Sequence, residues 1–161
     1  MRKWMVFLLF SGIISTTTAQ SLWTIGPMVH WNIGNKMTRA SWGVEFAYWN
    51  WNHFPYSIDG GMEFGRQRIR LYSEAQTGIG ILGLSAGPVL EFQTKKPALR
   101  LGFQGSLWAN YFGGVNLRFR RIDKHGYFCP GLYVKIPFNA RDEYGNPIKG
   151  IPDYHHHHDD D

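Results

Sequence analysis

Between Leu22 and Phe138 the chain alternates apolar and polar positions with a period of two, the spacing at which successive side chains of a strand point to opposite faces. In LWTIGPMVHWNI the set Trp23, Ile25, Pro27, Val29, Trp31 and Ile33 is wholly apolar, while the intervening set includes Thr24, His30 and Asn32. In SWGVEFAYWNW, Trp42, Val44, Phe46 and Tyr48 share one side, and Ser41, Gly43, Glu45, Ala47 and Trp49 the other. The pattern recurs around Tyr56, Ile58, Met62 and Phe64, then around Ile69 and Leu71, and again from Leu82 to Phe92. Three further runs centre on Leu99 to Leu107, Val115 to Phe119 and Phe128 to Phe138, giving eight strands in all. No stretch of the mature chain carries the 3.6-residue stripe of an amphipathic helix.

The content of the two faces decides the architecture. One is uniformly apolar and rich in aromatics; the other is rich in glycine and holds both acids and bases. A soluble eight-stranded barrel keeps its apolar residues inside. Apolar outside and charged inside describes instead a closed, all-β, antiparallel eight-stranded transmembrane barrel with short loops. The clearer runs are roughly 9 to 12 residues, enough for a tilted strand to cross a bilayer, and closure removes edges that lipid cannot hydrogen-bond. Trp23, Tyr48, Tyr56 and Phe138 toward one end, and Trp31, Trp42, Phe64, Phe92, Phe119 and Phe128 toward the other, imply two interfacial girdles. A secreted or periplasmic β-sandwich binding protein is the soluble alternative.

From its first residue to about Phe138 the chain resembles the small OmpA-like and OmpX-like eight-stranded outer-membrane barrels. The most specific piece is GLYVKIPF, where Gly131, Tyr133 and Phe138 look like the glycine and aromatic terminal-strand signal of that family. The resemblance implies an outer-membrane location in a Gram-negative envelope, both termini in the periplasm, and the barrel assembly machinery as a partner during biogenesis. Residues 139–161 then form a periplasmic tail, expected to be disordered, that ends in DYHHHHDDD. That tract has no fixed geometry for a metal.

Composition agrees with an exported chain. Arg2 and Lys3 precede an apolar run from Trp4 to Ile14 and the small residues Thr17, Thr18 and Ala19, which reads as a secretory signal peptide over 1–19. Its removal lowers the formal charge from +5 to +3, a surplus too modest to suggest nucleic acid. The single cysteine, Cys129, cannot close an intramolecular disulfide and by alternation packs inward. No cofactor is called for.

An eight-stranded barrel is just wide enough inside for side chains to fill it. By phase, the interior receives Glu45, Asp59, Glu63, Glu74 and Glu91 together with Arg70, Arg100, Arg118, Arg120 and Lys135, a lumen ion-pair network of five acids and five bases. Opposite strands are four apart, so Glu45 is expected to face Arg100, and Glu63 to face Arg118 or Arg120. The loops at the end away from the termini carry Lys36, Arg39, Arg66, Arg68, Lys95, Lys96, Arg121 and Lys124, opposed only by Asp123. Such a basic rim suits an anionic lipopolysaccharide leaflet. The expected function is a structural, lipopolysaccharide-contacting or accessory subunit of a larger outer-membrane complex, without chemistry of its own. The rival is a lipid A-modifying barrel enzyme using His30 and nearby carboxylates, for which the sequence offers no serine and acid arrangement around His30.

Overall fold

The computed structural model describes residues 20–34, 37–51, 54–79, 81–95, 97–110 and 112–154. The expected signal peptide, Lys36, Lys96 and the terminal histidines and aspartates lie outside them. The strands are β1 (Ser21–Gly34), β2 (Met37–Asn50), β3 (Tyr56–Gly65), β4 (Arg68–Ile79), β5 (Leu82–Gln93), β6 (Ala98–Ala109), β7 (Gly113–Ile122), β8 (His125–Val134) and β9 (Ile136–Arg141). Each pairs antiparallel with its sequence neighbour up to β8. β8 and β9 then both return to β1, one beside each half of it. They make a single stave, so the sheet closes as an eight-stranded antiparallel barrel. The sandwich alternative is thereby corrected: every stave has two neighbours, and two separate sheets do not form. No helix among the described residues is long and apolar enough to cross a membrane, which says nothing about crossing by strands.

Alternation is kept on every stave. In β1 every even-numbered position from Leu22 to Asn32 is buried, while Ile25, Pro27, Val29, Trp31 and Ile33 are exposed. The outer wall is consequently apolar, with Trp42 60% and Leu101 65% exposed, whereas Glu63 and Asp59 inside are 0% exposed. Aromatic contacts band the wall toward both ends: Trp23 lies 4.7 Å from Tyr48 and 4.9 Å from Phe46, and Phe46 is 5.7 Å from Phe138. At the other end, ring centroids are 4.8 Å apart for Trp42 and Phe64 and 5.1 Å for Phe119 and Phe128.

Two Gly-Pro pairs interrupt the ladders, one on β1 and one on the opposite stave β5. Proline cannot donate to a neighbour, and beside it the adjacent chain moves in: a Cβ added to Gly26 would lie 1.7 Å from the Val134 carbonyl oxygen, and one added to Gly87 would lie 1.8 Å from that of Ser73. Only glycine fits either position. Opposite Gly26 the eighth stave breaks at Lys135, whose N–H donates to the Phe112 carbonyl (2.6 Å) instead of to β1.

The hairpins at one end are tight, with Gln67 and Asp123 at positive φ in the turns joining β3 to β4 and β7 to β8. The other end holds an apolar plug. Trp49 stacks on Trp51 (5.6 Å) and meets Trp108 edge-on (5.5 Å), and Leu22, Ala47 and Ala140 complete the cluster. Here the boundary expected at Phe138 moves. β9 continues to Arg141, and residues 142–154 fold back as a flap through Ile148 N–H to Ala140 carbonyl (3.1 Å) and Asn139 N–H to Pro152 carbonyl (2.7 Å). Ile148 and Ile151 pack on the plug, which is why this part of the expected disordered tail is ordered. Arg141 pairs with Asp153 at 3.0 Å, and the Asn146 backbone N–H holds the exposed Asp142 carboxyl below the usual carboxylate range.

Candidate functional site

The inward phase of the staves gathers the charged side chains into one connected column. At its centre is Glu63 on β3, which accepts from Arg70 Nη1 on the adjacent β4 (2.6 Å) and from both terminal nitrogens of Arg120 across the lumen on β7 (3.0 and 2.8 Å). Ser41 Oγ adds a hydrogen bond at 2.8 Å, and Arg118 Nη1 approaches to 3.9 Å. Towards the hairpin end, Glu91 on β5 accepts from Arg70 Nε (2.9 Å) and Arg68 Nη1 (3.3 Å). Towards the plug, Arg118 Nη2 bridges Glu45 (3.2 Å) and Glu74 (3.3 Å), with its guanidinium carbon 4.5 Å from the Tyr72 ring centroid. Tyr72 donates to Glu45 at 2.5 Å. Lys135 closes the column, pairing with Glu45 at 2.7 Å and with Asp59 at 3.0 Å, and Asp59 also accepts from Ser57 and Gln76.

Nine of the ten residues expected in the lumen network are therefore in contact with at least one other member. Glu63 faces Arg120 and Arg118, as the four-apart rule requires. Arg100 is the exception. It is about one-third exposed and pairs with Asp123 at 3.4 Å, so Glu45 finds its bases on β7 and in the eighth stave instead. The reason is stagger: pairing between β6 and β7 begins only at Gly102 with Ile122, so Arg100 sits beyond the end of β7 and reaches into the β7–β8 turn. The interior then holds five carboxylates and four buried bases, and Arg68 supplies the fifth positive charge from the rim.

Of the expected basic rim, Arg39, Arg66, Arg68 and Lys95 line one shallow groove over the β1–β2, β3–β4 and β5–β6 hairpins. Arg121 instead points out from the wall on β7, next to an outer recess with Phe103, Phe119 and Phe128, and Lys124 is exposed in the β7–β8 turn. Arg66 and Lys95 are exposed, whereas Arg39 and Arg68 are half-buried.

His30 is fully buried inside, where Gly131 leaves it room: a Cβ there would lie 2.3 Å from the ring. Its Nε2 meets Asn116 Oδ1 at 2.9 Å, and Nδ1 lies 3.5 Å from Glu63. Ser41 donates straight to Glu63, so the imidazole serves neither as base nor as partner to that hydroxyl. No family model and no curated protein matches this chain. Among the described residues no group of three or more histidine, cysteine or acidic side chains is placed to hold a metal ion.

Uncharged members of the column carry as much connectivity as the ions. Asn32 Oδ1 accepts from Arg70 (2.7 Å), Arg120 (3.3 Å) and the Cys129 thiol (3.4 Å), and its amide reaches Ser41 Oγ at 2.6 Å. Gln104 receives Arg120 Nε at 2.7 Å and donates to Glu74 at 2.6 Å. Ser85 and Ser106 lie 2.6 Å apart beside Glu74, to which Ser85 donates at 2.8 Å. Alternation places all of these indoors, but only their depth along the barrel reveals that they link one ion pair to the next.

Proposed function

We propose that this chain is a small outer-membrane barrel whose interior is a packed plug of ion pairs, and that it acts as a structural or accessory component of the envelope, touching lipopolysaccharide with its basic hairpin end. One observation carries the reading: the wall exposes Trp42, Leu101, Phe103 and many other large apolar side chains, while Glu63, Arg70, Arg118 and Glu74 are almost wholly buried. Water is the wrong solvent for such a wall, since exposed apolar patches of that extent drive aggregation; a bilayer is the right one. With a filled lumen the barrel offers no wide aqueous path. Its hairpins are too short for a large adhesive surface, which leaves lipid contact at the rim and protein contact along the wall. Biogenesis would run through the barrel assembly machinery, with both termini on the periplasmic side.

The lipid A-modifying alternative asks for a nucleophile or activated water beside an open base. His30, fully buried and hydrogen-bonded through Nε2 to Asn116, gives that reading little support. Cell fractionation followed by mild-detergent purification tests the proposal. The protein is expected in the outer-membrane fraction, released only by detergent, migrating faster on unheated than on heated denaturing gels, and accompanied by a stoichiometric envelope protein or by lipopolysaccharide. Release into buffer without detergent would sink the membrane reading, and purification free of lipid and protein would sink the accessory role.

A further inference from the structure

We propose that the hairpin end contains a binding site for a phosphate-class oxyanion, seated over Arg70 between Arg39, Arg66 and Arg68. A cavity of about 130 Å³ opens there, lined by these four arginines together with Asn32, Ser41 and Tyr127, and none of its lining residues is acidic. At about 30 Å³ per water molecule, that is space for roughly four waters or one tetrahedral oxyanion.

The floor of the cavity carries the argument. Arg70 is 1% exposed, and its Nε and Nη1 are taken by Glu91, Asn32 and Glu63. Its Nη2 is buried without a hydrogen-bond partner. The Tyr127 ring, 5.8 Å from the guanidinium carbon, covers one face of the group without supplying an acceptor. A buried guanidinium N–H left unpaired is costly, and here it belongs to a residue that lines a basic cavity. The two carboxylates below are already engaged and no acidic side chain lines the cavity, so added negative charge there meets guanidinium groups and no carboxylate. Planar guanidinium forks suit the oxygens of a phosphate monoester or of inorganic phosphate equally. The groove with Gln67, Gln93 and Lys95 continues from the cavity over the rim, so a ligand larger than the anion itself has room to extend.

The anion site stands on this geometry alone, whereas a headgroup as the source of the phosphate rests on the membrane reading above. The test is calorimetric titration of the full-length protein in zwitterionic detergent with inorganic phosphate, against chloride at matched ionic strength. Saturable, phosphate-selective binding is expected. Arg39→Gln/Arg66→Gln, which leaves the lumen column intact, should weaken it by about tenfold or more, the loss of roughly one charge-assisted contact. Arg70→Lys keeps the positive charge for Glu63 and Glu91 but removes Nη2, and should weaken it by a similar factor; the rim variant decides if this one misfolds. Repeating the titration in nanodiscs containing a phosphorylated glycolipid separates the sources: occlusion of the site identifies a headgroup, and unchanged affinity identifies the free anion. Equal response to phosphate and chloride, or wild-type affinity in the correctly folded rim variant, overturns the site while leaving the detergent-release test of the barrel untouched.

Discussion

Glu63→Gln is the substitution to which the interior should be most sensitive. The carboxylate is 0% exposed and receives two arginines at 3.0 Å or less, a third at 3.9 Å and the Ser41 hydroxyl. Glutamine keeps the shape but leaves five positive charges, Arg68 included, against four carboxylates, with the three arginines nearest the site short of their common counter-ion. Breaking a buried pair from one side costs about 3–5 kcal/mol, and the shared position of Glu63 puts this change at the upper part of that range. Arg120→Gln should cost less, about 1–3 kcal/mol, because Glu63 retains Arg70 at 2.6 Å and the other losses are single hydrogen bonds to Gln104 and Asn32. In the double variant charge is removed in balance, so its destabilisation should fall short of the sum by about 1–2 kcal/mol. The assay is urea unfolding in detergent micelles followed by tryptophan fluorescence, with gel mobility of unheated samples confirming that each variant closes. Additive single effects, or Arg120→Gln costing more than Glu63→Gln, would refute the account of Glu63 as the hub.

The remaining expectations separate rim from interior and seam from wall. Arg100→Gln should lower the unfolding free energy by no more than about 0.5 kcal/mol, since its pair with Asp123 is solvent-exposed, whereas Arg118→Gln, which takes the cation from Glu74 and leaves Glu45 with Lys135 alone, should cost several times that in the same titration. Gly26→Ala should destabilise by about 1–3 kcal/mol through its clash with Val134, and Gly126→Ala, with nothing within 4 Å, should be close to neutral when both are unfolded side by side. The flap adds a pH dependence: the Asp142 carboxyl is depressed by backbone N–H groups, so its contribution is complete above the ordinary carboxylate value near about pH 4 and is lost as pH falls through the lower folded value. Limited proteolysis within 142–154 should therefore accelerate only on the acid side, and Asp142→Asn should be cleaved rapidly at every pH.

Alternation carried most of the fold, because a two-residue period fixes the phase of each stave independently of its neighbours. Glu45, Asp59, Glu63 and Arg118 are indoors for the reason their sequence context implies, and the count of eight staves survives even though the last is broken at Lys135. What alternation lacks is depth. Arg100 has the inward phase but sits above the point where β7 ends, and no local pattern records that stagger. Depth also decides which polar residue meets which: Asn32 and Gln104 are ordinary inward amides in the sequence and linkers between ion pairs in the fold. The flap escaped for a different reason. Ile148 and Ile151 stand in a stretch of proline, glycine and charge with no period, and their burial depends on a plug assembled from four distant strands.

The order in which the column's members leave the ribosome bears on how the barrel is made. Four of the five interior carboxylates, Glu45, Asp59, Glu63 and Glu74, are on the chain before residue 75, while three of the four interior bases, Arg118, Arg120 and Lys135, come after residue 117. A sheet lacking its final staves thus presents a surplus of negative charge to whatever surrounds it, and Lys135, which alone bridges Glu45 to Asp59, is the last counter-ion to be supplied. Neutralising the interior and closing the β1 seam become one event, so that an incomplete sheet carries its unpaired acids until the last stave arrives.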